Sequence, residues 1–135
     1  MIRKIPEETA TFHFHNENPK GKRTSDCVIR AIARATGQSW EEVLTGLYQV
    51  ALQLKTAPAD KECYERYLGQ QGWLKHPQPR KDDGKKYTIS EWCWKHKHKT
   101  MVISVANHLT CVIDGQCNDI WDCTDMSVLN YWTHP

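Results

Sequence analysis

A chain of 135 residues with 39% apolar side chains and six tryptophans is long enough to bury one core without disulfide or metal staples. A formal charge of +2 gives no electrostatic reason to expect a nucleic-acid binder, and no run approaches the roughly 18 apolar residues of a membrane span. The first residues, Met1 to Glu8, lack the apolar core of a secretion signal, so the expected setting is the cytoplasm and the six cysteines read as reduced, core-filling thiols.

Residues 1–10 read as a flexible lead-in, and residues 11–135 as a single domain. Thr11 to His15 alternates with period two and predicts a short strand. A polar loop with the turn signal Asn18-Pro19-Lys20-Gly21 follows. The first helix is expected from about Asp26 to Thr36, capped by Ser25 or Asp26, with Val28, Ile29 and Ile32 as its apolar stripe and Gly37 just past its end. Ser39 and Glu42 form a capping box that opens a second helix to about Lys55. A third helix is expected from Asp60 to Gln70, with Tyr64, Tyr67 and Leu68 on one face and Gly72 ending it.

Lys75 to Lys86, rich in proline, glycine and charge, reads as a surface loop. A second capping box, Thr88 with Glu91, opens a short helix through Trp92, Cys93 and Trp94, which ends in the basic run Lys95 to Lys99. Trp92 and Trp94 are two apart and cannot share a helix face, so one belongs to the core. The last third turns to strands: Met101–Val105, Leu109–Ile113, Asp119–Cys123 and Val128–Thr133, with Asp114-Gly115 as a hairpin turn. Helices first and strands last predict an α+β domain, N-terminal helices packed on a C-terminal antiparallel sheet.

Candidate chemistry centres on Thr24-Ser25-Asp26-Cys27. A thiol in the first turn of a helix sits at the positive end of the helix dipole, which favours the thiolate, and its own amide can donate to an acyl oxygen bound there. His108 enters a strand behind Ala106-Asn107. If the hairpin centres near Gly115, partners in the next strand have numbers summing to about 230, which sets Asp122 beside His108 to orient its ring. Asp125, three residues on, is the competitor. Cys111, Cys117 and Cys123 are spaced by six, without the tight pairs of a zinc site, and Cys111 and Cys123 are expected inside the sheet, so neither a metal nor another cofactor is expected.

The order of "SDCVIRAIARATG", "NHLTCVIDG" and "IWDCTD" resembles the papain-like cysteine peptidase superfamily, and within it the small single-domain versions found in phages and in phage-related regions of Gram-positive genomes. The likeness covers most of residues 12–133. It implies a papain-like fold and a cysteine hydrolase, a peptidase, isopeptidase or related amide-bond hydrolase. It further implies Cys27 as nucleophile, His108 as general base and acid, and Asp122 as the orienting residue. One departure stands out: relatives place a Gln a few residues before the nucleophile as second oxyanion donor, and here position 21 is Gly. Asn18, in the same loop, is the candidate replacement. The implied partner is a peptide or protein substrate or, for a fold that has lost turnover and acts as a binding module, a host protein.

Overall fold

In the computed structural model the described residues are 5–135. They form an α+β domain with four helices and one six-stranded mixed sheet. In chain order the elements are β1 (Phe12–Phe14), α1 (Cys27–Thr36), α2 (Trp40–Leu54), α3 (Lys61–Gln70), β2 (Leu74–His76), α4 (Ile89–Lys95), β3 (Thr100–Val105), β4 (His108–Ile113), β5 (Gln116–Asp119) and β6 (Asn130–Thr133). Across the sheet the strands lie β1-β5-β4-β3-β6-β2.

Local signals place the helices. Ser39 and Glu42 close a reciprocal capping box on α2, and Thr88 and Glu91 do the same on α4. Gly37 ends α1 in the left-handed conformation, its amide returning to the Ala33 carbonyl. Gly46 lets α2 approach α3 closely: a Cβ there would stand 2.3 Å from Cε1 of Tyr67. Of the two tryptophans of α4, Trp92 is buried, whereas Trp94 is 56% exposed with the Lys97 ammonium over its ring.

The central strands are covered on both sides. Val102 and Cys111, with Trp132 of β6, pack under α1, α2 and α3 through Ile32, Leu47 and Leu68. Met101, Ile103 and Val112 pack on the opposite side with Phe12, Ile89, Trp92 and Val128. This double burial is why Met101, Val102 and Ile103 of β3 are apolar in succession and do not alternate with polar residues.

Three expectations about the sheet are corrected. It is mixed, because β1 pairs parallel to β5, a pairing that the long excursion through the helices permits. Leu74–His76 is a strand at the sheet edge and not the start of a loop. The third strand of the C-terminal run comes earlier than expected: Asp114 and Gly115 form a tight turn with positive φ at both residues, and the ladder then runs from Gln116 to Asp119. Cys111 faces Asn118 and Ile113 faces Gln116, one residue away from the expected register. A one-residue slip exchanges the two faces of a strand, and this one decides which carboxylate reaches His108.

Candidate active site

The site lies at the end of the sheet where β4 begins and β5 stops, against the first turn of α1. Cys27 is the first residue of α1 and is half-buried. Its sulfur is flanked by the His108 imidazole and the Leu109 backbone N–H. Burial pushes the thiol up, but those two neighbours, with the charges of His108 and Arg30, outweigh it and hold the Cys27 pKa below the usual thiol value.

His108 presents Nε2 to Oδ2 of Asp119 at 2.6 Å, which leaves Nδ1 as the ring nitrogen available to Cys27. Burial opposes the charged ring. The hydrogen bonds to Asp119 and Cys27 and the charges behind them win, raising His108 to about 9. A lowered thiol beside a raised imidazole favours the thiolate–imidazolium ion pair at neutral pH. Trp121, 44% exposed, stands edge-on to the His108 ring with centroids 4.8 Å apart.

Asp119, and not Asp122, stands against His108. Extending the β4–β5 ladder by one pair sets Asp119 opposite Thr110, whose hydroxyl donates to Oδ2 at 2.7 Å, and His108 is the diagonal neighbour. Oδ1 of Asp119 accepts from Nη1 of Arg30 at 2.9 Å and from the Ile120 amide at 2.7 Å. Burial raises this carboxyl, but His108, Thr110 and Arg30 together hold it below the ordinary carboxylate value. Asp122 lies past the end of β5, where its carboxylate accepts from the backbone and hydroxyl of Thr124. Asp125 lies farther along the same turn region.

Neither Ser25 nor Asp26 caps α1: no side chain among the described residues takes its first-turn amides. The Asp26 carboxylate is turned inward, accepting from Arg30 Nε at 2.7 Å, Trp40 Nε1 at 3.0 Å and Asn18 Nδ2 at 3.1 Å. The first-turn amides of α1, that of Cys27 among them, are thereby left for an acyl oxygen. Asn18 is spent inside its own loop. Its Nδ2 donates one hydrogen to Asp26, its Oδ1 accepts from the Lys20 and Lys22 amides, and its buried side chain does not line the groove past Cys27.

A groove of about 770 Å³ runs past Cys27 and His108, with Thr24, Ser25, Tyr64, Asn107, Trp121 and Leu129 among its walls. Ligating atoms of His108, Asp119 and Cys123 come within 4.8 Å of one another. A cation there would have to compete with Arg30 for Asp119 and displace the His108 contact, so the donor set fits a charge-balanced triad better than a metal. All six cysteines are free, and Cys117 and Cys123 touch at 3.9 Å without a bond.

Two residues of this cluster are not evident from the sequence. Asp119 is hidden by the early end of β5. Arg30 reads as the partner of Asp26 one turn along a helix, a pairing that ordinarily marks a solvated face. No helix among the described residues is long and apolar enough to cross a membrane. No family model, curated protein or solved structure matches the chain.

Proposed function

We propose that this protein is a papain-like cysteine hydrolase acting on an amide bond of a peptide or protein, with Cys27 as nucleophile, His108 as acid and base, and Asp119 in the orienting role. One observation carries the reading: the His108 ring bridges a thiol at a helix N-terminus and a buried carboxylate, and both neighbours favour its protonated form.

The chemistry follows from that pair. The Cys27 thiolate adds to the acyl carbon, forming the C–S bond, and the carbonyl π electrons move onto oxygen, which the free amides of the α1 first turn receive. As the C–N bond breaks, the His108 imidazolium delivers its proton to the departing amine and a thioester remains. Neutral His108 then takes a proton from water as that oxygen attacks the thioester. Cys27 leaves as thiolate, the imidazolium is restored, and the products are a carboxylic acid and an amine. Asp119 keeps the ring turned and balances its positive charge throughout.

The backbone amides supply the oxyanion donors in this mechanism. Removing one donor from such a site typically costs about 2.7–4 kcal/mol of transition-state stabilisation, so with Gly21 in the loop that carries the donor Gln in papain-like relatives, slow turnover is expected. The test is alkylation with iodoacetamide, read by mass spectrometry, beside hydrolysis of a fluorogenic amide peptide library. The parent should take one label, at Cys27, well below the free-thiol midpoint of about 8.5, and Cys27→Ala should lose both that label and hydrolysis. Equal labelling of parent and variant, or a Cys27 that reacts only as a free thiol does, overturns the reading in favour of a binding module.

A further inference from the structure

In the mechanism above Arg30 has no task, yet the charges of the site are arranged around it. Its side chain is 7% exposed. Nε grips Oδ1 of Asp26 on its own helix at 2.7 Å, and Nη1 grips Oδ1 of Asp119 at the end of β5 at 2.9 Å. We propose that Arg30 is the positioning residue of this site, clamping α1 to the end of β5 so that Asp119 is aimed at His108 and Asp26 is held off the free amides above Cys27, a role that rests on reading Cys27 and His108 as a hydrolytic pair.

Three features of the geometry carry this. First, the two oxygens of Asp119 are divided between tasks. Oδ1 goes to Arg30 and the Ile120 amide, and Oδ2 to His108 and Thr110, so the grip on one oxygen fixes the direction of the other. Second, an aspartate at the N-cap ordinarily accepts from the amides of its own helix. Here Arg30, Trp40 and Asn18 hold the Asp26 carboxylate elsewhere. Without Arg30 that carboxylate could swing onto the first-turn amides, filling the oxyanion position and setting a negative charge beside the thiolate. Third, the ionised groups alternate in sign from Cys27 through His108, Asp119 and Arg30 to Asp26, so each buried charge has an opposite neighbour.

A planar guanidinium can span two carboxylates with separate N–H groups, which the single ammonium of lysine does not reproduce. The other buried titratable groups nearby add no charge to this alternating series. Tyr64 of α3, facing Cys27, is pushed up to about 12, chiefly by burial, and Cys123, facing Asp119, is pushed up by its contact with Cys117 and by burial. Asp60 and Lys61 are exposed on the groove wall. Arg34, one turn further along α1, supplies an internal control. It also cross-links α1 to β5, through Oδ1 of Asn118 at 3.2 and 3.1 Å, without a hydrogen bond to Asp119.

The experiment reads the pH midpoint of Cys27 alkylation by iodoacetamide in the full chain, together with the His108 titration by NMR. Arg30→Gln and Arg30→Lys should raise the midpoint by about one pH unit, slowing alkylation about tenfold on the acid side. Arg34→Gln should leave it at the parent value. Because Arg30 acts largely through Asp119, its removal in an Asp119→Asn background should move the midpoint by less than half as much. Arg30→Lys, which keeps a cation between Asp26 and Asp119, carries the test in both backgrounds should the glutamine variants not fold. Folded Arg30 variants with the parent midpoint, or equal shifts in both backgrounds, overturn the proposal alone. A parent thiol that titrates as a free cysteine overturns the hydrolase reading and this proposal together.

Discussion

His108 and Asp119 meet at 2.6 Å although they are not opposite one another in the ladder. The residue in register with His108, by extension of the pairing, is Trp121, and its indole packs edge-on to the imidazole. The ring therefore leans along the strand toward a diagonal carboxylate, a reach that long and aromatic side chains make across antiparallel pairs.

That lean predicts a contrast between two nearby aspartates. Asp119→Asn should lower kcat/KM by at least about 10²-fold, because the ring loses its anionic partner and its fixed orientation. Asp122→Ala removes only the turn contact with Thr124 and should leave kcat/KM within about twofold, at a stability cost of about 0.5–1.5 kcal/mol. Steady-state hydrolysis of one amide substrate by both variants decides the matter. The reverse order of losses would return the orienting role to Asp122.

The two members of the pair also set opposite pH trends. His108 is raised from 6.5 to about 9, so its contribution to stability is complete below 6.5 and is lost as pH rises through about 9. Cys27 is lowered from 9.0, so its contribution is present above that value and is lost as pH falls through its folded value. In the parent the two partly cancel. In Cys27→Ala the imidazole acts alone, and between about pH 6 and about pH 8.5 the variant should lose more Tm than the parent. The rate of the parent should fall toward acid as the thiolate is protonated and toward alkali near pH 9 as His108 loses its proton. A parent steeper than the variant, or an alkaline limb far from 9, contradicts the ion pair.

Away from the site, Gly46→Ala should destabilise the fold by about 1–3 kcal/mol although alanine is the better helix former. The added methyl meets the Tyr67 ring at 2.3 Å, and that ring is buried and tied through its hydroxyl to Gln38 at 3.1 Å. Urea unfolding measures it, and an unchanged or higher midpoint would show that the α2–α3 contact can yield.

What the sequence disclosed follows the range of the forces involved. Ser39 with Glu42, Thr88 with Glu91, and Gly37 all act within four residues, so these helix boundaries could be read directly. The place of Cys27 at the start of α1 was equally local. The end of β5 was not. Phe14 pairs with Asp119 and the His15 amide donates to its carbonyl, so the strand's limit involves a partner more than 100 residues upstream. Reading Ile120 to Cys123 as strand carried the orienting role to Asp122. Asn18 is a related case. An amide side chain in a loop looks available until the Asp26 carboxylate and the Lys20 and Lys22 amides are seen to use it.

The Arg30–Asp119 contact spans 89 residues of chain, and His108 joins Cys27 across nearly as many. Until β4 and β5 exist and have docked on α1, Cys27 is an ordinary cysteine at the head of a lone helix, without imidazole, counter-charge or groove. During synthesis at about 5–20 residues per second, that delay amounts to several seconds in which the emerging chain carries no activated thiol. The surroundings of Cys27 are thus acquired last, as a property of the completed tertiary structure, and local unfolding that frees β5 withdraws the Asp119 carboxylate from them.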